Sequence, residues 1–341
     1  MKKVLLATTM LVGAGSMAAA EVSVSGSGRM GIVYTEDTTV AVGVDDNELA
    51  FTSRMRVNFD MSSESDSGLS FGASIRADNS AGGSTGTEGS VFIQGAFGKL
   101  SMGDVSGAAE FAVGDLAGVG LTGIGDFNEN IYLSNGGATR RSAMRYEYTV
   151  GGLSFALSAD NPKNDTVANV AATDSLANVI SVGAKYSVAD AYTFSLGYEA
   201  ADIRTGAATA TSIDHIIVGA EATFSGVTVK ATYGQADTTA AGFTAAAALL
   251  SVAGNRYNPP AGTNDLTQTG HSASYTMNGL TVTGYYRQVD FGTPGKHKFT
   301  GIGASYDLGG GAAVTGGIAS ADPAGVLPSQ TLADLGISFT F

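Results

Sequence analysis

From Val22 onward the odd and even positions of this chain belong to different chemical classes, and that division constrains the fold more than any other feature. Successive side chains of a β-strand point to opposite faces, so each parity class is one surface. Val22, Val24, Met30, Ile32 and Tyr34 share one face, against Ser23, Ser25, Ser27 and Arg29. Phe51, Met55, Val57 and Phe59 oppose Arg54, Arg56, Asn58 and Asp60, and Leu69, Phe71 and Ile75 oppose Ser70, Ser74 and Arg76. The split recurs through Tyr146, Phe155, Tyr186, Phe194, Leu196 and Val229, and closes with Leu335, Ile337, Phe339 and Phe341 against Ser338 and Thr340. With weaker segments at 89–105, 212–224 and 267–321, the chain reads as about 16 strands, an even number of the kind membrane barrels use.

Alternation alone fits both a soluble sandwich and a membrane barrel, because each has one apolar and one polar face. The connections and the aromatic residues decide between them. Tight turns (Ser62 to Ser67, Gly98-Lys99, Val150 to Gly152, Phe224 to Gly226, Met277 to Gly279, Leu308 to Gly311) alternate with long polar stretches (Thr35 to Glu48, Asp160 to Ser175, Thr238 to Asp265). Short turns at one end and long loops at the other describe an outer-membrane barrel. Tyr34, Tyr148, Tyr186, Tyr192, Tyr198, Tyr233, Tyr306 and Phe341 sit mostly near strand ends, where interfacial girdles belong. The expected fold is all-β: a transmembrane antiparallel barrel over residues 21–341.

Residues 1–20, MKKVLLATTMLVGAGSMAAA, place Lys2 and Lys3 ahead of a short apolar run and an A-x-A site, the pattern of a secretory signal cleaved before Glu21. Removing it takes two lysines and no acids, so the formal charge goes from −13 to −15. A balance this acidic, without a basic stripe, excludes nucleic acid as a partner. With no cysteine, an exported chain must be held by ladder bonding and packing rather than disulfides. Nor does an apolar run of about 18 residues follow Glu21, so any membrane crossing must use strands.

One interval breaks the alternation. Residues 104–145 carry Glu110, Asp115, Asp126 and Glu129, while the preceding strands place Arg29, Arg54, Arg56 and Arg76 on the polar face. So long an irregular stretch in a compact domain points to function. A loop of one sign folded into the lumen against a wall of the other makes a charged constriction. A cation on the lipid face would cost roughly 2–4 kcal/mol at mid-depth, which places the arginines toward water. Tyr285 and Arg287, on a later strand, are weaker candidates for the same wall.

Other motifs carry less. Gly118-Val119-Gly120-Leu121-Thr122-Gly123 fits G-x-G-x-x-G but follows no parallel strand, so it is not read as a dinucleotide site. Asp126, Asn128 and Asn130 match the first ligands of a calcium loop, but Ile131 and Gly137 stand where glycine and glutamate are needed. No cofactor is expected, and only a looser Ca2+ site built with other loop carboxylates stays open. His215, His271 and His297 fall on separate segments outside any nucleophile motif, so the chain is not read as an enzyme. The alternatives are a barrel hydrolase whose triad assembles across strands, and a barrel with a structural or adhesin role.

Several stretches resemble the general diffusion porins of alpha-proteobacteria: SGSGRMGIVY at 25–34, SRMRVNF at 53–59, SGLSFGASIRA at 67–77, VFIQGAFGKLSMGD at 91–104, GASYDLGGGA at 303–312 and ADLGISFTF at 333–341. The resemblance covers essentially the whole chain after the signal. It implies a 16-stranded barrel in the outer membrane of a Gram-negative bacterium, exported through the periplasm, with the third external loop folded into the lumen. It implies a homotrimer embedded in outer-membrane lipid that passes ions and small hydrophilic solutes. By position it assigns Arg29, Arg54, Arg56 and Arg76 to the cationic side of the constriction, and Glu110, Asp115, Asp126 and Glu129 to the loop that supplies the anionic side. It also implies that the terminal Phe341 is read by the outer-membrane assembly machinery. The apolar LAGVGLTGIG after Asp115 departs from the family pattern.

Overall fold

A computed structural model of the chain describes residues 20–36, 48–80, 83–134, 143–160, 175–189, 191–205, 208–238, 265–292, 295–324 and 328–341. The expected signal segment up to residue 19, the interiors of the three long connections and the end of the long loop lie outside the described residues. Sixteen strands form: β1 (Glu21–Thr35), β2 (Leu49–Glu64), β3 (Ser70–Ser80), β4 (Gly83–Gly95), β5 (Gly98–Gly103), β6 (Ala143–Val150), β7 (Leu153–Ala159) and β8 (Ser175–Val188). They continue as β9 (Tyr192–Thr205), β10 (Ala208–Phe224), β11 (Val227–Thr238), β12 (Asp265–Met277), β13 (Leu280–Asp290), β14 (Lys296–Gly309), β15 (Ala312–Asp322) and β16 (Gln330–Thr340). Each pairs antiparallel with its neighbours in sequence, and β1 pairs with β16, so the sheet is a closed barrel without a free edge.

The tight turns follow from residues that accept left-handed backbone. Ser225-Gly226 (φ 48° and 81°) and Asn278-Gly279 (φ 51° and 81°) have positive φ at both central positions, the mirror-image turn whose twist matches paired strands. The β4–β5 turn lies two residues earlier than the sequence indicates. Gly95 pairs with Gly98, which puts Ala96 and Phe97 at the tip and Gly98 and Lys99 in the strand.

The apolar parity class points away from the barrel axis: Phe51 is 90% exposed, Leu49 63% and Val24 62%. A water-soluble surface rarely carries so broad an apolar band, whereas a lipid-facing one requires it. Its aromatic members include Tyr148, Tyr186, Tyr192, Tyr198, Tyr233 and Tyr306. At the seam Phe341 exchanges backbone hydrogen bonds with Gly26, and its exposed ring meets Phe339 edge-on at 5.5 Å. Gly28, on the outward face, would drive an added Cβ into the Phe339 ring. Its missing side chain therefore serves the chain's own seam.

The buried core lies between the inner wall and the long loop rather than between two sheets. Leu116, Val119, Ile124, Phe127, Ile131 and Leu133 of the loop pack with Ile213, Leu266, Val289, Phe299 and Ala321 of the wall. The loop is shorter than the sequence suggests, because β6 begins at Ala143 and takes Ala143 to Arg145 back into the ladder. It also contains a helix that no sequence signal announces, α1 (Ala108–Val113).

Candidate functional site

The loop is seated by lumen-facing side chains of β6–β16, beginning with Arg145, which donates to Ser106 O at 2.8 Å and Ser106 Oγ at 2.6 Å. The first two helical N–H groups of α1 donate to the wall, Ala108 to Ser158 Oγ and Ala109 to Ser181 Oγ, both at 2.8 Å. A six-residue helix is too short to persist alone, and here strand hydroxyls satisfy the donors its own N-cap, Gly107, leaves open. At its other end Lys230 Nζ donates to Val113 O at 2.6 Å. The chain then crosses the lumen: Ala117 N donates to Ser272 Oγ at 3.1 Å, and Asp334 of β16 accepts from Leu121 N, Thr122 N and Thr122 Oγ1 at 2.8, 2.6 and 2.7 Å. Arg29 of β1 donates to Leu121 O at 3.2 Å.

The return leg runs nearer the long-connection end of the barrel. Ile131 exchanges two bonds with the Gln268 side chain, N–H to Oε1 at 2.8 Å and Nε2 to O at 2.9 Å, as a strand neighbour would. Fully buried Glu199 accepts from Leu133 N at 2.8 Å, Ser134 N at 3.2 Å, the Ser134 hydroxyl and His215 Nδ1 at 2.9 Å. Because Ile131 N–H fixes the Gln268 carbonyl, its amide nitrogen faces His215 Nε2 at 3.1 Å. Nε2 therefore accepts and Nδ1 carries the proton to Glu199.

Lumen-facing glycines give the loop room. A Cβ on Gly197 would stand 2.5 Å from Ala109 Cβ, one on Gly270 2.7 Å from Leu116, and one on Gly31 2.7 Å from Leu121. Real Cβ contacts are wider than these, so a larger residue at any of the three would push the loop off the wall.

The charged candidates divide into two groups. Arg29, Arg54, Arg56 and Arg76 lie together on β1–β3, with Arg29 and Arg54 directly opposed across the ladder. Asp78 of β3, which the sequence reading did not single out, joins them. Arg56 meets it with two bonds of 2.8 Å, and Arg76 approaches it at 3.3 Å. Among the described residues, the charged neighbours of Arg54 are Arg29, Arg56, Arg76 and Asp78. The sequence did offer a signal for Asp78: it is two residues from Arg76 and shares its parity.

Of the four loop acids, Asp126 is the one whose charged neighbour is in that cluster, namely Arg29. Burial raises its pKa and Arg29 opposes the rise. Glu110 has Arg145 as its nearby cation, and Asp115 has Lys230 and Arg287. Burial, reinforced by Asp115 and Glu199, pushes Glu110 up to about 7. Burial, reinforced by Asp126, Asp115 and Glu110, does the same to Glu129, against the charge of Arg287. Asp115 is raised by burial too, although Asn130 N–H donates to it at 2.7 Å.

Other candidates are structural. Arg287 is 1% exposed under the loop, its guanidinium 5.1 Å from the centre of the Phe299 ring, and Tyr285 is buried beside it, so neither borders open lumen. Asn128 and Asn130 spend their amides on Leu116 O and Gly114 O. Among the described residues no three acids or histidines gather as a metal site would require. His215 Nε2 faces an amide rather than a hydroxyl, so the Glu199–His215 pair lacks the order of an acid–base–nucleophile chain.

The sequence profile of the Gram-negative porins matches residues 7–325. The chain belongs to that family. It is 38% identical to a porin of Rhodobacter capsulatus over 327 residues, 94% of this chain and all of the relative. A porin structure refined at 1.8 Å superposes with a TM-score of 0.73 at 33% identity, covering 94% of this chain and 100% of that one. A variant of the Rh. blastica porin superposes at 0.60 with 22% identity over the same shares, which speaks for the fold alone. As a Gram-negative porin the chain is an outer-membrane channel for the passive diffusion of ions and small hydrophilic solutes.

Proposed function

We propose that the seated loop narrows this porin to a charge-selective constriction, with Arg29, Arg54, Arg56 and Arg76 on one side and the loop acids Glu110, Asp115, Asp126 and Glu129 on the other. The observation that carries it is the division of the lumen wall. The loop occupies the inner face from β6 round to β16 and reaches β1 at Arg29, so solutes pass along the arginine side. Arg54, surrounded mostly by its own sign, keeps an unneutralised charge on that side. A field between two such walls orients dipolar solutes and disfavours apolar ones. The acids do not pair with the arginines one to one: Glu110, Asp115 and Glu129 sit near cations of the loop-bearing wall, so the field is set by groups rather than by single ion pairs.

The test is single-channel conductance in planar bilayers with the reversal potential in a salt gradient. Conductance should rise roughly linearly with salt, as in wide water-filled pores without a saturable filter. Saturation at low salt, or no conductance from folded protein, would overturn the reading. The working unit in this reading is a homotrimer in outer-membrane lipid, its signal segment 1–20 removed and its terminal Phe341 recognised during assembly. Light scattering in mild detergent distinguishes three copies from one, and a monomer would remove the trimer from it.

A further inference from the structure

On the short-turn side of α1 the lumen wall holds a recess of about 280 Å3, roofed by Phe111 and the end of the helix. Two neighbouring rungs of the ladder line it: Lys185 opposite Ser195, and Thr193, Glu221 and Lys230 in a row across three strands. Lys230 is already engaged with Val113 O. Lys185 is not: its ammonium stands 4.3 Å from the centre of the Phe111 ring and, among the described residues, has no hydrogen bond or ion pair. The Glu221 carboxylate also makes no hydrogen bond or ion pair among them, and its charged neighbour is the Lys230 ammonium, paired with it across the ladder. The recess thus offers a cation without a hydrogen-bonded partner and an anion beside an ammonium already spent on Val113 O, on strands two intervals, about 10 Å, apart.

Size narrows the ligand. With about 30 Å3 for each water in the liquid, the recess has room for roughly nine waters, far more than a lone ion needs. It falls just below the range of about 300–1,000 Å3 typical of sites for drug-sized ligands. A molecule of a few heavy atoms with opposite charges at its two ends fits both the volume and the charge pattern.

We propose that this recess is a subsite for zwitterionic amino acids in transit, with the carboxylate at Lys185 and the ammonium at Glu221. The inference rests on the channel reading above and adds a solute class to it. Such a subsite holds solute at millimolar concentrations and slows its passage, so amino-acid flux saturates where uncharged solutes of equal size diffuse in proportion to concentration.

Titrating L-alanine against glycerol in single-channel recordings at constant salt tests it. Alanine should give a current reduction that saturates in the millimolar range, while glycerol changes the current linearly. Lys185→Gln and Glu221→Gln, each confirmed as closed barrels by resistance to detergent without heating, should each raise the half-saturating concentration about fivefold to tenfold, the loss of one charge-assisted contact. Acetate alone should bind much more weakly than alanine. An open channel in which alanine behaves like glycerol overturns the inference and leaves the channel reading standing. Acetate as effective as alanine, with Glu221→Gln without effect, overturns it in favour of a simple anion site. A folded protein that never conducts removes both.

Discussion

The two sides of this lumen are made from the same period-two sequence and have opposite fates. On β1–β3 the inward parity carries Arg29, Arg54, Arg56, Arg76 and Asp78, partly exposed and close together. On β10–β15 the inward parity carries Ile213, Ile217, Leu266, Val289, Phe299 and Ala321, buried beneath the loop. Inward in a barrel therefore means neither polar nor apolar. It means whatever the lumen holds at that azimuth, water on one side and peptide on the other.

The comparison breaks most severely if the loop is released. Glu199→Ala leaves Leu133 N–H, Ser134 N–H and His215 without their shared acceptor, and disrupting a buried charged group of this kind costs about 3–5 kcal/mol. The return leg should leave the wall, so single-channel conductance should rise with frequent flicker, and larger sugars should enter liposomes that the wild type excludes. Unchanged conductance and sugar exclusion would show that Glu199 does not hold the loop.

A smaller effect sharpens the other side. Arg54→Ala with Arg56→Ala removes two cations and their bulk from the wet wall. The reversal potential in a salt gradient should move toward cation selectivity and the conductance should increase. The shift should shrink as salt rises, since screening acts over about 8 Å at physiological ionic strength. A shift independent of salt would assign the change to pore width alone.

Next in size is the response to pH. Glu110 and Glu129 are both pushed up to about 7, so these two carboxyls are largely uncharged below that pH and gain negative charge above it. Cation selectivity should therefore increase between about pH 6 and about pH 8, a window in which ordinary carboxylates no longer titrate. Glu110→Gln with Glu129→Gln should flatten the curve, and a double variant that retains the full step would move its origin elsewhere. The same shift makes the two groups favour folding at low pH: the folded state binds more protons, and that contribution is lost as pH rises from about 4.5 toward 7.

Smallest of all is Asp78→Asn. It removes the carboxylate that Arg56 and Arg76 approach, and because both arginine side chains still border water, at 26% and 35% exposed, the pairs contribute about 1 kcal/mol or less. A slight move toward anion selectivity, opposite in sign to the arginine double variant, is the expected reading of the same salt-gradient measurement.

The barrel was legible because lipid keeps one parity apolar along most strands, and the arginines stood out as charges on the other. The loop-bearing wall was harder to read for the complementary reason. In β10, Ile213 and Ile217 point inward while Ile216 and Val218 point outward, so both faces are apolar and the alternation fades where the loop is seated. Segment 212–224 therefore read as weak, and its weakness marked the dock. Glu199 and Asp334 looked like ordinary polar-face residues, because nothing local shows that the groups they hold are 65 and 213 residues away. α1 escaped for a related cause: its N-terminal donors are satisfied by Ser158 and Ser181, not by a capping residue of its own.

The position of Asp334 ties pore width to the closure of the barrel. It lies on β16, the strand that pairs with β1 to close the sheet, and it grips the loop at Leu121 and Thr122. Until that strand is in place, the middle of the loop has no anchor on it. Sealing the wall and fixing the middle of the loop thus fall to the same strand, so a barrel open between β1 and β16 would lack this grip on its aperture.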